Sequence, residues 1–366
     1  MIKTFYPGDP APHFACRSSN SNLFHFNTAG GRYIVLSFLG TSTHPEMAAV
    51  LDYIYGPASS FFDDKKICFF GLSVDPNDEK ILRQRLPGIR FFWDFDKEVS
   101  LEFGAIENKQ NNIYHPFTLV LDPLLRVIAN IPITPAKTHN ETLDKLLASL
   151  PTIDDHAGVK LNAPILIVPR VFEPEFCQML IAKYQENGGE ESGFMRETNG
   201  QTVGVYDNSF KRRSDFNIQS PELIKATQQR IRRFLLPEVK RAFQYDATRM
   251  ERYLVACYNS ESGGFFRPHR DNTTKGTAHR RFAVTLNLNA EEFEGGNLRF
   301  PEFGTQTYRA PTGGAVVFSC SLLHEATPVT KGNRYAFLPF LYDEDAAKIR
   351  EENVTFISNE TINLNT

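Results

Sequence analysis

Hydrophobic positions in the first 150 residues fall into uninterrupted apolar runs separated by helical patterns. The apolar runs occupy residues 33–39, 67–74 and 117–122. Apolar residues at helical spacing occupy residues 44–55, 78–85 and 142–150. Because strands that are buried on both faces appear as continuous hydrophobic runs, this pattern predicts an α/β sheet covered by helices on both sides.

The pattern changes after a polar, turn-rich segment at residues 151–160. Two helices are predicted there, at residues 174–187 and 221–243. Short apolar strands with Gly and Pro turns then follow, at residues 252–258, 281–288, 315–319 and 335–342. Many short strands after a pair of helices indicate a double-sheet jelly roll with flanking helices.

The chain is therefore expected to form two domains, residues 1–150 and residues 161–350, joined by the linker at 151–160. The polar tail at residues 351–366 is expected to fray. Residues 188–210 are polar and rich in glycine, and they predict an irregular segment that acts as a mobile lid.

Composition narrows the range of partners. The 366 residues are 41% hydrophobic and 23% charged, and the formal net charge is −3, so neither a nucleic acid nor an anionic membrane is expected as a partner. No stretch reaches the roughly 18 apolar residues of a membrane helix, and the N-terminus lacks a signal core, so we expect a cytoplasmic protein. Five scattered cysteines argue against a disulfide framework and against a zinc site.

Two histidines and an aspartate carry the strongest chemical signal. His269 and Asp271 are two residues apart, which predicts side chains on the same side of an extended strand, and His324 follows from a later strand. Two imidazoles and one carboxylate form the facial triad that holds non-haem Fe(II) and leaves positions open for a co-substrate and O2. Arg334 lies downstream and offers a planar fork for a carboxylate.

The surrounding segments make this signal more specific than a His-x-Asp pair alone. Residues 294–300 lie between the two ligand segments, and residues 311–318 lead into the strand before His324. Residues 258–342 resemble the prolyl-4-hydroxylase-like branch of the Fe(II)- and 2-oxoglutarate-dependent dioxygenases, and the resemblance extends over residues 160–350.

This resemblance implies a double-stranded β-helix with iron at one mouth. It implies His269, Asp271 and His324 as catalytic iron ligands, and Arg334 as the partner of the distal carboxylate of 2-oxoglutarate. Three further positions bear on the pocket: Tyr258 matches a tyrosine that lines the 2-oxoglutarate site, Asn287 stands near the expected distal carboxylate, and Phe266 replaces a tyrosine common in relatives.

The reaction that the resemblance implies is a hydroxylation. Oxidative decarboxylation of 2-oxoglutarate to succinate and CO2 would be coupled, with O2, to hydroxylation of a C–H bond in an amino acid, a peptide or protein residue, or a small metabolite. Ascorbate is a candidate reductant. Asp271 favours hydroxylation because halogenating relatives lack this ligand.

Arginines near these motifs allow two interpretations. The residues are Arg213, Arg267, Arg270, Arg280 and Arg281. They could form a cationic rim that recruits an anionic substrate, or an ordinary solvated face. Arg213 is the predicted substrate contact, with Phe266 and Arg270 as further candidates.

The N-terminal half resembles a peroxiredoxin of the thioredoxin-like fold over residues 3–150, through segments at 8–14, 33–45, 70–76 and 116–122. His44 occupies the position of the peroxidatic cysteine, and Pro116 stands where an arginine is usual. Because imidazole cannot form a sulfenic acid, this domain is not expected to be a peroxidase. Such folds often dimerise, so one hypothesis is that residues 1–150 form a homodimer or cap the mouth of the second domain.

Two other functions stay open at this stage. One is a thiol redox protein whose second domain is regulatory, which the absence of cysteine at His44 opposes. The other is a pseudoenzyme, metal-binding sensor or interaction protein, which the intact triad together with Arg334 opposes.

Overall fold

The computed structural model describes residues 3–110 and 113–365. The chain separates into two compact units. Unit 1 comprises Met1–Asn162 with the short segment Pro301–Thr305, and unit 2 comprises Ala163–Phe300 with Gln306–Thr366. Within the described ranges, no helix is both long and apolar enough to cross a membrane.

In its described residues, unit 1 is a seven-stranded sheet with four α-helices. Its strands are β1 (Ala15–Ser18), β2 (Ser21–His25), β3 (Tyr33–Gly40), β4 (Ile67–Ser73), β5 (Ile89–Trp93), β6 (Phe117–Leu121) and β7 (Val127–Pro132). Its helices are α1 (Pro45–Tyr55), α2 (Asp78–Ile81), α3 (Glu98–Glu102) and α4 (Ala136–Ser149). The strand order is β2-β1-β5-β4-β3-β6-β7. Strands β3, β4 and β5 are parallel, and β6 is antiparallel to β3.

Strand β3 shows why this sheet is covered on both faces. Val35 and Leu39 belong to one apolar cluster, and Leu36 and Phe38 belong to another. Because successive side chains of a strand point to opposite faces, a strand buried along its whole length contributes to two cores. The predicted α/β sheet is confirmed.

Two helix predictions in unit 1 had wrong bounds. Helix α2 ends at Ile81, since Leu82 is extended and buried and the backbone of Arg85 bonds to that of Ile89. Helix α4 begins at Ala136, well before the predicted start at residue 142. The first turns of α4 lack a clear apolar periodicity, because one of their buried positions is occupied by the polar residue His139. Nε2 of His139 lies 2.8 Å from Thr118 Oγ1.

Over residues 163–300 and 306–365, unit 2 combines four α-helices with short strands. The helices are α5 (Pro174–Asn187), α6 (Pro221–Arg230), α7 (Leu236–Phe243) and α8 (Glu344–Glu352), and a π-helical turn at Ile231–Leu235 joins α6 to α7. The strands are β8 (Leu166–Val168), β9 (Glu190–Glu191), β10 (Phe194–Thr198), β11 (Gln201–Tyr206), β12 (Lys211–Arg212), β13 (Ser214–Asn217), β14 (Arg249–Glu251), β15 (Leu254–Asn259), β16 (Phe265–His269), β17 (Phe282–Asn287), β18 (Glu294–Gly295), β19 (Leu298–Arg299), β20 (Thr307–Tyr308), β21 (Ala315–Ser319), β22 (His324–Ala326), β23 (Val329–Lys331), β24 (Asn333–Phe337), β25 (Phe340–Tyr342) and β26 (Ile357–Asn363). Both helical segments predicted for this half are confirmed.

Two antiparallel sheets make up the centre of unit 2. The larger follows the order β14-β25-β17-β24-β15-β13-β9, with β21 pairing to β17 and β8, and the smaller follows β12-β16-β22-β19-β20. Strand β15 separates two cores. Val255 and Cys257 pack with the helices, whereas Ala256 and Tyr258 belong to a second cluster with Ala326 of the smaller sheet. A double-sheet jelly roll requires this arrangement.

The predictions of an irregular segment at 188–210 and of a frayed tail were wrong. Strands β10 and β11 form an antiparallel hairpin, and β26 from the tail pairs in parallel with β11. Val203 and Val205 of β11 are buried, although the segment reads as polar. A strand stabilised by a partner about 150 residues away leaves little local signal, because strand formation depends on its cross-strand neighbours.

Candidate metal centre and its cavity

The pairing of β16 with β22 brings the two histidines together. His269 is the last residue of β16, His324 is the first of β22, and the register sets them directly opposite each other. Asp271 lies in the turn after β16, where its N–H donates to the Cys320 carbonyl at 3.0 Å. Asp271 therefore reaches the cluster from a turn, and the predicted strand alternation does not extend to it.

The three side chains converge within metal-binding range. Asp271 Oδ1 lies 3.7 Å from His269 Nε2, and Asp271 Oδ2 lies 3.3 Å from His324 Nε2. One ligand atom from each residue lies within 4.8 Å of the other two. Such a spacing lets a single cation contact all three groups.

Backbone carbonyls fix the orientation of both imidazoles. Nδ1 of His269 lies 2.7 Å from the Arg267 carbonyl oxygen, and Nδ1 of His324 lies 3.0 Å from the Leu322 carbonyl oxygen. Because a carbonyl can only accept, each Nδ1 carries the proton and each Nε2 directs a lone pair at the cluster.

The charge states also suit a divalent cation. Burial, together with His324, lowers the pKa of His269 to about 3, so this imidazole is neutral at pH 7. Burial favours protonation of Asp271, but His324 and His269 outweigh it and lower the pKa of that carboxyl. A neutral imidazole and an ionised carboxylate are the forms that bind metal.

A cavity opens beside this cluster, and it contains most of the predicted site residues. Tyr258, Phe266, Arg213 and Arg334 line it together with the triad. Phe266 covers the first ligand, since its ring is stacked on that of His269 with 3.5 Å between centroids. The structure thus assembles one site from residues that are far apart in the sequence.

Arg334 has the most unusual environment in the cavity. It lies on β24 opposite Tyr258, with its guanidinium 4.9 Å from the centre of the tyrosine ring, and it is 2% exposed. Within residues 3–110 and 113–365, its Nε and Nη1 have no hydrogen-bond partner. A buried, unsatisfied guanidinium is costly, so its two donors fit the carboxylate of a co-substrate.

Arg213 positions other groups of the cavity. Its Nε and Nη2 each donate to the Asp215 carboxylate at 2.7 Å, and its Nη1 lies 3.3 Å from the Tyr258 hydroxyl. Burial disfavours the ionised Asp215, but Arg213 prevails and the pKa of the carboxyl falls to about 2. Arg213 is therefore bound as an ion pair.

The structure places Asn287 and Arg270 outside the cavity lining. The Asn287 amide donates to the Ala310 carbonyl at 2.8 Å, and the Arg270 guanidinium donates to the Ser321 carbonyl. Asn287 lies on the same face of β17 as Ala283 and Thr285, which do line the cavity.

Several lining residues were missed from the sequence. Arg252, Thr285, Leu298, Phe318 and Phe340 all line the cavity. Strand alternation could have identified Thr285, since it precedes the predicted Asn287 by two positions on β17. Nothing in the local pattern around Arg252 indicates its position, because the residue lies between β14 and β15.

Comparison with known sequences agrees with this geometry. Residues 253–342 match the 2OG-Fe(II) oxygenase superfamily. A PKHD-type hydroxylase of Hyphomonas neptunium is 29% identical over 142 residues, which cover 36% of this chain and 62% of that protein. A PKHD-type hydroxylase of Cupriavidus metallidurans is 31% identical over 134 residues, which cover 34% and 58%. The chain thus spans about three-fifths of the length of these relatives.

Solved structures give more distant matches. A Trichoplax adhaerens prolyl hydroxylase in complex with a peptide fragment of the hypoxia inducible factor oxygen degradation domain is 18% identical, with a TM-score of 0.42, and the match covers 58% of this chain and 96% of that one. A Pseudomonas putida prolyl-4-hydroxylase is 17% identical, with a TM-score of 0.37, and the match covers 54% and 98%. The triad and Arg334 all lie within the segment of unit 2 that matches the superfamily.

Proposed function

We propose that unit 2 is an Fe(II)- and 2-oxoglutarate-dependent hydroxylase. His269, Asp271 and His324 would hold the iron, and Arg334 would bind the distal carboxylate of 2-oxoglutarate. The observation that carries the proposal is the convergence of the triad and an unpartnered, buried guanidinium on one cavity. A structural ion pair would explain neither the aligned Nε2 atoms nor the unsatisfied Arg334.

Bound Fe(II) supplies the redox chemistry that couples O2 and the decarboxylation of 2-oxoglutarate to succinate and CO2 with hydroxylation of a C–H bond. The residues of the chain orient the metal ligands and shield the site from water. The carbonyls of Arg267 and Leu322 hold the two imidazoles in their ligating tautomers. Phe266 keeps water from one side of His269, and Arg213 holds the Tyr258 hydroxyl.

The substrate would be an amino acid, a peptide or protein residue, or a small metabolite. The relatives are named as hydroxylases, and one structural neighbour is a prolyl hydroxylase that holds a peptide. We also propose that the jelly roll has the double-stranded β-helix form. Ascorbate is the proposed reductant.

Succinate release tests the proposal directly. Purified protein with Fe(II), ascorbate and 2-oxoglutarate should form succinate, and a mixed amino-acid and peptide pool should increase the rate. His269→Ala should abolish this turnover, whereas His44→Ala in unit 1 should not change it. Unchanged turnover in His269→Ala, or none in the iron-loaded wild type, would favour a metal-binding sensor or interaction protein.

We further propose that unit 1 is a thioredoxin-like, peroxiredoxin-like domain without peroxidase activity. His44 is the N-cap of α1, and its Nδ1 accepts from the Glu46 N–H at 3.3 Å. The thiols of Cys16 and Cys68 are buried, and burial raises the pKa of each to about 12. A protonated, buried thiol does not react with peroxide.

Peroxide consumption tests this second proposal. We expect none from the wild type, and a measurable peroxidase rate would support the thiol redox alternative. We also propose that the protein forms a homodimer through unit 1 and that it is located in the cytoplasm. Sedimentation of the full chain should give the mass of a dimer, and a monomer would refute dimer formation.

A further inference from the structure

Three guanidinium groups line the cavity of the metal centre, those of Arg213, Arg252 and Arg334. Arg213 forms an ion pair with Asp215 through two hydrogen bonds. Arg334 has the distal carboxylate of 2-oxoglutarate as its proposed partner. Of these three, Arg252 is the one for which neither the described residues nor the proposed co-substrate provides a dedicated anion.

The contacts of Arg252 are weak. Its Nη2 lies 3.4 Å from Asp215 Oδ2, and that oxygen already accepts from Arg213 Nη2 at 2.7 Å and from Ser192 Oγ at 2.5 Å. The guanidinium also lies 5.5 Å from the centre of the Phe340 ring. Asp215 is therefore largely committed to Arg213, and the charge of Arg252 is only partly balanced.

The backbone at Arg252 is strained. Its φ is +66°, a left-handed value that non-glycine residues rarely adopt. The residue lies between β14 and β15, where an ordinary φ would carry the chain along a different path. A side chain that is held in a cavity by an unfavourable backbone conformation points to a functional requirement at that position.

The neighbouring charged groups have other partners. Lys211 Nζ donates to Ser192 Oγ at 2.7 Å and to the Gly193 carbonyl at 2.5 Å. Arg280 Nε donates to Glu251 Oε1 at 2.8 Å, and the other oxygen of that carboxylate lies 3.0 Å from His279 Nε2. His279 is buried as well.

Among the residues that line the cavity, a charge balance isolates Arg252. The two positive charges of Fe(II) and the one of Arg334 would be matched by Asp271 and by the two carboxylates of 2-oxoglutarate. Arg213 is matched by Asp215. With both sets neutral, the guanidinium of Arg252 leaves one unmatched positive charge on the wall of the cavity. Such a charge favours an anionic ligand.

We infer that the substrate presents a carboxylate to Arg252, which makes this residue a determinant of specificity. This inference rests on the proposed function, because the balance includes iron and 2-oxoglutarate. The carboxylate could be the terminal one of an amino acid or peptide, or the side chain of an acidic residue. A neutral segment in the middle of a peptide would leave Arg252 unmatched.

Calorimetric titration of the full chain tests the inference without knowledge of the substrate. Protein loaded with Zn(II) and saturated with 2-oxoglutarate would be titrated with N-acetylglycine and with the α-amide of N-acetylglutamate. The matched neutral probes are N-acetylglycinamide and the α-amide of N-acetylglutamine. We expect one carboxylate to bind at least about tenfold more tightly than its amide, since hydrogen bonds to charged groups are the stronger ones. The arm that binds identifies the source of the carboxylate.

Variants connect this preference to the residue. Arg252→Met should remove the preference for the carboxylate, and Arg252→Lys should retain part of it. Arg249→Met is the matched control, because Arg249 is also on this part of the chain but its side chain is 55% exposed and pairs with Glu344. The control should bind the probes as the wild type does.

Three results would overturn the inference. They are equal binding of acid and amide, an unchanged preference in Arg252→Met, or loss of 2-oxoglutarate binding in Arg252→Met, which would assign the residue to the co-substrate. Succinate release by the wild type, measured separately, keeps the two proposals apart. Turnover without a carboxylate preference would refute the role of Arg252 alone, whereas absence of turnover would refute the proposed function.

Discussion

Replacing Arg334 with methionine should weaken 2-oxoglutarate binding strongly while leaving the protein without ligand as stable as the wild type, or more stable. The guanidinium is buried, and two of its nitrogens lack partners within the described part of the chain. Methionine has a similar length and no charge, so the substitution removes an uncompensated buried cation without opening a large cavity.

The magnitude follows from the two free donors. A hydrogen bond to a charged group contributes about 1.5–3 kcal/mol, and two such bonds give about 3–6 kcal/mol. Part of this free energy offsets the desolvation of the carboxylate, so we expect a net loss of about 3 kcal/mol. At about 1.4 kcal/mol per tenfold change, the KM for 2-oxoglutarate should rise by about 100-fold or more.

Two assays follow this change. The dependence of succinate formation on 2-oxoglutarate gives KM, and thermal unfolding gives stability with and without the co-substrate. A ligand at about 100 times its Kd stabilises the native state by about 2.7 kcal/mol, so the wild type should gain several degrees in Tm and Arg334→Met almost none. Lys331→Met is the control, since that side chain is 74% exposed.

An unchanged KM would refute the assignment of Arg334 to the distal carboxylate. A large loss of stability in the ligand-free variant would refute the argument in a different way. It would mean that the guanidinium has a stabilising partner within the fold and is not held ready for a ligand.

Three further predictions concern the triad, the ion pair behind it and the tail. Asp271→Asn should lower Fe(II) affinity by more than about 100-fold in equilibrium dialysis. Loss of a group that only hydrogen-bonds to a metal ligand already lowers metal affinity by about 10–100-fold, so loss of a ligand should lower it further. An affinity close to that of the wild type would show that Asp271 is not a ligand. Arg213→Met should destabilise the fold by about 3–5 kcal/mol in urea unfolding, because buried Asp215 loses both hydrogen bonds from Arg213 and the weaker contact with Arg252 Nη2, at 3.4 Å, does not replace them. The Arg213→Met/Asp215→Leu double variant should recover most of this loss, and no recovery would contradict the ion-pair argument. Deletion of residues 357–366 should speed amide hydrogen exchange in β11 (Gln201–Tyr206), and unchanged protection there would contradict the parallel pairing with β26.

Elements with a clear local pattern could be predicted from the amino-acid sequence. Continuous apolar runs such as β3 predicted a sheet buried on both faces, and the helices at Pro174–Asn187 and Pro221–Phe243 had clear periodicity and N-terminal prolines. The types and order of His269, Asp271, His324 and Arg334 also predicted the chemistry, because few other functions need that combination.

Tertiary structure decided what depends on distant partners. Strand β26 pairs with the hairpin of β10 and β11, although about 150 residues of sequence separate them. Each of these segments therefore appears polar and irregular when its sequence is considered alone. The cross-strand register brings His269 opposite His324, and the turn that holds Asp271 completes the cluster where strand alternation would not.

The charge pattern of the cavity was also invisible in the sequence. Arg213 was the predicted substrate contact, yet it is held by Asp215, and Arg252 has the less satisfied charge. Arg267 and Arg270 donate to the carbonyls of Ser209 and Ser321. Which arginine is left without a full partner depends on the distances between side chains from different strands. Those distances are set by packing and register, which a linear pattern of residue types does not contain.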